Sequence, residues 1–534
     1  MTSFGLWGLI PPVLAIILAF ITKDVIVSLF LGILSATLIV SGGNPFLALM
    51  QLSDVLANNL ADGWNIRIFL FCTLLGGLVG MLSKTGAAHA FGSWASSKIK
   101  TSRASQLMTF VFGLIISIDD YFNSLTVGTV MRPLSDSTKV SRAKLAYILD
   151  STAAPVCIIA PISSWVVTVM SIVKASDGFA DLGISPFEFF VRSIPYNLYA
   201  IGTLIFVLLI ILSQRDFGPM KVSEKLAKSD KLFNEEKYGP AAGNVENISN
   251  NKVRPFDMIF PIALLIISSL IFFPLVTWIN AVNGESLGSF KEAFNSITLI
   301  DAFKESDASL ALFYSIIFTV FLTYIYYLLR GLFTLETAAN ALMEGIKSMI
   351  PALMILVMAW TIGSIIKSSP SEGGLGLGTY LAELVVKGRF PLAIIPLIVF
   401  ILSALISFAT GTSWGTFGIM IPLLMPITTG LAEAYGLEQE NLLNISMICI
   451  SAVIGGAVFG DHTSPISDTT ILSSTGASCP HLEHVATQMP YAIFVAFATA
   501  LGFIVAGFSM SLLATWLTVL LSLIAGLIFL PKFF

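Results

Sequence analysis

The chain has 534 residues, of which 56% are hydrophobic and 11% charged, with a formal net charge of −4. Soluble domains carry about 25% charged residues, so a mean hydropathy of +0.88 describes a polytopic membrane protein and excludes a soluble enzyme or a disordered chain. The charge balance offers no basic footprint for nucleic acid. The four cysteines, Cys72, Cys157, Cys449 and Cys479, form no paired motif of a disulfide framework or a cysteine metal site.

A helix needs about 20 mostly apolar residues to span a bilayer. The first apolar run lacks a basic leader and a cleavage site, so it is expected to be retained as a span. Spans are predicted over 6–22, 25–41, 66–83, 186–213, 256–279, 307–330, 348–366, 485–508 and 510–531. Four further regions, 104–134, 145–173, 390–428 and 441–475, are apolar but interrupted by Gly, Pro, Ser, Thr or Asp. Lipid tolerates irregular backbone only where it is buried in protein or lines a wet cavity, so these breaks point to a substrate path. The stretches 87–99 and 376–387 are amphipathic and predict interfacial helices. Residues 214–255 hold eight Lys or Arg and six acids and read as a solvated, cytoplasmic linker.

The linker separates two halves that match in order. Trp7 to Ile17 pairs with Asp257 to Ile267, Gly92-Ser-Trp with Gly378-Thr-Tyr, and Ser124…Arg132-Pro-Leu with Ser413…Ile421-Pro-Leu. Ala160-Pro-Ile-Ser-Ser pairs with Ser464-Pro-Ile-Ser-Asp, and Ile194-Pro-Tyr with Met489-Pro-Tyr. Basic residues flank 104–134 on both sides (Lys98, Lys100 and Arg103 before, Lys139, Arg142 and Lys144 after), which places both its ends in the cytoplasm. That segment is then a re-entrant hairpin with its tip near Ile118 to Ser124, and the first half has five crossings. An odd number inverts the second half, whose hairpin tip falls near Thr410 to Trp414. The acidic loop with Glu433, Glu438 and Glu440 fits this orientation, whereas Lys387 and Arg389 count against it. The predicted fold is an all-α polytopic membrane bundle of two inverted repeats, each of about five spans plus a re-entrant hairpin and a broken helix. Its parts are a first repeat 1–213, the linker 214–255, a second repeat 256–508 and an extra C-terminal span 509–534.

Five carboxylates lie in or beside the broken segments: Asp119, Asp120, Asp150, Asp461 and Asp468. Each costs at least ~2.5–3.5 kcal/mol at bilayer depth when ionised. The bases within these segments, Arg132 and His462, are too few to pair them all, so protons or bound cations must compensate the rest. The adjacent Asp119 and Asp120 repel when both ionised, which suits a proton or Na+ site, with Asn123 and Ser124 beside them. One of the two acids can equally cap the following half-helix.

The run Asp461-His462-Thr463-Ser464-Pro465-Ile466-Ser467-Asp468-Thr469 offers hydroxyl and carboxylate oxygens at a proline break, ligands for a hard cation or caps for two half-helices. His462 titrates near neutral pH and can shuttle protons or simply hold a carbonyl. A zinc site lacks a spaced third ligand. The second tip adds Thr410, Thr412, Ser413 and Thr416 around Gly411 and Gly415, and the first break adds Ser163 and Ser164. Asp461, Ser467, Asp468 and Thr412 are the Na+ candidates. Asp150 lies nearer a predicted membrane face and reads equally as a gate or cap or as a site, and Glu344 reads as interfacial.

The strings Gly411-Thr-Ser-Trp-Gly-Thr416 and Gly460-Asp-His-Thr-Ser-Pro-Ile-Ser-Asp-Thr-Thr470 resemble the NhaC-type Na+/H+ antiporter family, and the order of spans is similar over most of the chain. The resemblance implies electrochemically driven exchange of Na+ for H+ in a cell membrane, with no cofactor. Members of that family also couple both ions to small carboxylates such as malate and lactate, and related carriers move amino acids. A coupled carrier of a small organic solute is therefore the alternative, and Trp414, Tyr121 and Phe122 could enclose one. A membrane enzyme or passive channel is disfavoured, since no GxSxG, HExxH or P-loop frames the polar residues. Expected partners are membrane lipids, Na+, protons and such a solute, and a homodimer is compatible with the pattern.

Overall fold

The computed structural model describes residues 3–533 apart from 23, 88–89, 91–98, 118, 241–251, 284–287, 378–379, 381–390 and 466. The predicted interfacial stretches 87–99 and 376–387 fall largely outside the described residues. Every regular element among those described is helical. The first half holds α1 (Ile10–Thr22), α2 (Val25–Val40), α3 (Pro45–Ala61), α4 (Gly63–Thr85), α5 (Ser102–Ile115) and α6 (Asp120–Ser137). It continues with α7 (Arg142–Thr152), α8 (Ser164–Ala175), α9 (Pro186–Ser193) and α10 (Leu198–Ser213), after which α11 (Gly218–Lys228) lies in the polar stretch. The second half holds α12 (Phe256–Asn283), α13 (Ala308–Leu329), α14 (Leu335–Ser348), α15 (Ile350–Lys367) and α16 (Ile395–Thr410). Then come α17 (Ser413–Ala434), α18 (Gln439–Thr463), α19 (Asp468–Ala477), α20 (His481–Ser509) and α21 (Leu512–Phe533).

Among the described residues seven helices are long and apolar enough to cross a membrane, or ten when each bent pair counts as one span. Large apolar side chains such as Ile271, Phe321, Leu329 and Leu521 stay exposed, as a surface solvated by lipid tails allows. The four interrupted segments break where the sequence places the breaks. α5 and α6 form an antiparallel hairpin: Ser105 and Ser135, near its two open ends, have hydroxyls 3.5 Å apart. α16 and α17 are joined at Gly411, whose φ of 70° is left-handed and suits glycine. The second broken helix, α18 and α19, is interrupted at residues 464–467.

One helix lies beyond the predicted elements, and one expectation is corrected. The predicted span 25–41 is α2, and α3 follows it at a bend of 119°. The turn runs through Gly42 and Gly43, both with positive φ, and Asn44 caps α3 ahead of Pro45. The polar residues Gln51, Asp54, Asn58 and Asn59 hide α3 from a criterion of apolar length. Nor is 214–255 wholly a solvated linker. Phe217, Met220 and Ala227 are buried, with α11 packed on α7 and α20. Glu224 accepts from the Ser141 amide at 2.9 Å and its hydroxyl at 2.7 Å. The buried Lys144 pairs with Asp216, which also accepts from the Tyr491 hydroxyl.

Small residues bring helices into backbone contact around the site. A Cβ on Gly456 or Gly460 of α18 would lie 2.2 Å from the carbonyl oxygen of Phe400 or Ala404, respectively, so α18 runs parallel to α16 at close range. The halves also cross-pack. Arms of the two hairpins lie along broken helices of the opposite half, α6 against α19 and α17 against α8.

Candidate functional site

The two breaks are built alike. Ser163 caps α8 and Ser467 caps α19, each hydroxyl accepting from an amide of the helix it opens. Ser467 also donates to Asp461 Oδ1 at 2.5 Å, and Ser413 donates to Asp461 Oδ2 at 3.0 Å. The Ser467 hydroxyl lies 2.8 Å from that of Thr469. Asp461 is 2% exposed. One buried carboxylate is thus surrounded by neutral hydroxyls from α17, α19 and the break itself, an all-oxygen set suited to a hard cation. Ser413 is brought to Asp461 by the parallel run of α18 along α16, where Ser407 donates to the Ala457 carbonyl and the Ser413 hydroxyl lies 3.1 Å from the same oxygen.

The other predicted residues take several positions. Asp119 and Asp120 are buried at the first hairpin tip, and the Trp165 indole donates to Asp120 Oδ1 at 2.9 Å. Trp165 in turn packs edge-on to Trp414 and Phe417 of the second hairpin. Asn123 donates to the carbonyls of Gly113, Ile116 and Thr152 and so holds that tip in place. The Ser473 hydroxyl donates to that of Ser124 at 3.2 Å, joining α6 to α19. Thr410, Thr416 and Thr463 bond to carbonyls of their preceding turns. Ser464 donates to the Phe408 carbonyl, Ser163 to that of Cys157, and Ser164 is buried at the start of α8. Thr412 lies in the α16–α17 bend, next to Ser413, which makes the contact with Asp461. Asp468 opens α19, and its side chain lies outside the described residues. Among the described residues no group of three or more His, Cys, Asp and Glu side chains is arranged to hold a metal ion.

The sequence reading missed a second polar cluster. Asp150 is fully buried. Its Oδ2 accepts from Gln488 Nε2 at 2.5 Å and Thr470 Oγ1 at 3.3 Å and faces His484 Nε2 at 3.3 Å. His462 Nε2 is 3.8 Å from Oδ1, and its Nδ1 is 3.2 Å from the Tyr199 hydroxyl. The inventory of bases omitted His484 because α20 reads as an ordinary span. The available signal was the His484–Gln488 spacing, which puts both side chains on one helix face.

The Na+/H+ antiporter family model matches residues 156–508. An uncharacterized protein of Haemophilus influenzae is 38% identical over 531 residues, covering 98% of this chain and 95% of its own. A malate-2H(+)/Na(+)-lactate antiporter of Bacillus subtilis is 32% identical over 170 residues, 32% of each chain. The solved structure of Neisseria gonorrhoeae MtrF, presented with a class of antimetabolite efflux pumps, aligns over 89% of this chain and 86% of its own, with a TM-score of 0.46 and 12% identity. With the family model covering well over half of its length, the chain belongs to the Na+/H+ antiporter family and is a multi-pass secondary transporter.

Proposed function

We propose that the protein exchanges Na+ for H+ by alternating access, with Na+ bound at Asp461, Ser413 and Ser467. The observation that carries this reading is a buried carboxylate at a helix break with a hydroxyl donated to each of its oxygens. An ionised carboxylate buried in the bilayer costs several kcal/mol, and a bound Na+ would offset part of this cost. The ordered matches between the halves and their reciprocal packing of hairpin arm on broken helix support an inverted duplication as the moving frame. The end of the bundle carrying Lys139, Arg142, Lys144 and α11 faces the cytoplasm by the positive-inside rule.

The second reading is coupled exchange of a small carboxylate. The malate-lactate relative motivates it, as does a cavity of about 510 Å³ lined by Asn58, Asn59, Asp62, Trp64, Ser171 and Lys174. The test is purified protein in proteoliposomes carrying a pH-sensitive dye. An imposed Na+ gradient alone should drive proton movement. Proton movement that starts only on adding malate or lactate would replace the first reading with the second.

A further inference from the structure

We propose that Asp150 and His484 form the proton-carrying site of the exchange, distinct from the Asp461 cation site; this assignment rests on the Na+/H+ reading above. The pair lies where α7, α18, α19 and α20 meet, and Asp150, His484, Gln488 and Thr470 are each 0% exposed. Gln488 and Thr470 have amide and hydroxyl donors on Asp150 Oδ2, and both are neutral. With Nε2–H donating to Oδ2, His484 Nδ1 carries a free lone pair, and that atom has no hydrogen-bond partner among the described residues. A proton arriving there gives an imidazolium against a carboxylate, a neutral pair; its departure leaves one buried negative charge. A second proton would leave the pair positive in a medium that penalises net charge. The pair therefore holds one exchangeable proton.

The described titratable groups around it come from α7, α10, α18 and α20, with more distant ones on the first hairpin and α11. Tyr147 shares α7, Tyr199 comes from α10, Asp461 and His462 from α18, and His481 and Glu483 from α20. Asp119 and Asp120 sit at the tip of the hairpin whose arms pack on α7, and Glu224 of α11 holds Ser141 at its far end. None of these is a hydrogen-bonded base on Asp150 as His484 is. The link to Na+ is short: the Thr470 hydroxyl is 3.3 Å from both Asp150 Oδ2 and the Asp461 carbonyl. A cation at Asp461 removes a negative charge from the neighbourhood of the pair and so lowers its proton affinity. Sodium and proton then oppose each other electrostatically, without sharing a ligand.

Two separate sites and one shared carboxylate give different pH profiles. For two sites, apparent Na+ affinity falls as pH drops and levels off after a finite factor, about 5- to 150-fold for typical coupling. For a shared carboxylate it falls tenfold per pH unit without levelling. The experiment measures Na+ affinity by Na+-dependent thermal stabilisation from pH 6 to 9, together with Na+-driven proton flux in proteoliposomes, for the wild type, His484→Gln and Asp150→Asn. The expected result is a levelling profile for the wild type, with both variants still binding Na+ but losing most of the pH dependence and at least tenfold of the flux. A wild-type profile that never levels, or His484→Gln with unchanged pH dependence and flux, overturns the assignment. If His484→Gln does not fold, Asp150→Asn and the wild-type profile decide it. A wild type whose protons never follow Na+ overturns the exchange reading itself, which the flux arm reports separately.

Discussion

At the break between α7 and α8, Ser163 caps the second piece and donates its hydroxyl to the carbonyl of Cys157, six residues upstream. At the break between α18 and α19, Ser467 caps the second piece and donates to the carboxylate of Asp461, also six residues upstream. The cap is shared but its second partner is not: a backbone carbonyl at the first break, a side-chain carboxylate at the second. The first break is capped without a charged partner. Burying an ionised acid costs folding energy, and the proposed Na+ would offset part of that cost at Asp461. Ser163, Ser164, Trp165 and Val166 of the first break align with Ser467, Asp468, Thr469 and Thr470 of the second, so the second break carries more side-chain oxygens. The acids of the first half stand instead at the hairpin tip, where Trp165 reaches Asp120.

The strongest way to break this comparison is to make the second turn resemble the first. Asp461→Cys should insert and fold, and should lose Na+-driven proton flux by about 100-fold or more. Flux in proteoliposomes within a few-fold of wild type would make the carboxylate dispensable and the two breaks equivalent. A paired substitution sharpens the contrast. Ser163→Ala and Ser467→Ala should each cost about 1 kcal/mol through a lost cap, read as a lower melting temperature in detergent. Only Ser467→Ala should weaken apparent Na+ affinity, by roughly tenfold, because only Ser467 holds the acid. Equal Na+ affinities in the two variants would reduce both serines to caps.

Much of this was legible because membrane sequences punish irregularity. Pro465, the glycine at 411 and the Asp119-Asp120 pair stand out within apolar runs, and each marks a real interruption or tip. Asp461 with its serine was legible for the same reason. The Asp150–His484 pair was not, since its members lie 334 positions apart and meet only through tertiary packing. His484 sits in the first turn of a long apolar helix, where a histidine reads as interfacial. α3 escaped because one face is polar, and α11 because its charges mask a buried stripe of Met220, Ser223 and Ala227.

The broken helices also differ at their far ends, and this difference gives the smallest effect. α7 begins at Ser141, whose amide and hydroxyl both bind the Glu224 carboxylate of α11. α18 begins at Glu438 with no side-chain cap. Burial pushes the Glu224 carboxyl above its ordinary value; the neighbouring Lys144 and the Ser141 bonds offset only part of this. A carboxyl raised in the folded state contributes stability that is complete below the unfolded value, about 4.3, and is lost as pH rises through the folded value. Through this group, wild-type stability should therefore decline with pH from about 4.5 upward, by at most about 1.4 kcal/mol for each unit crossed inside that window, read as a falling melting temperature. Glu224→Gln keeps an oxygen for Ser141 and removes the titration, so its melting temperature should decline less over the same range and exceed that of the wild type at neutral pH. Parallel melting curves for the two proteins from pH 4.5 to 8 would show that Glu224 stays ionised in the fold and that α11 holds α7 by charge rather than against it.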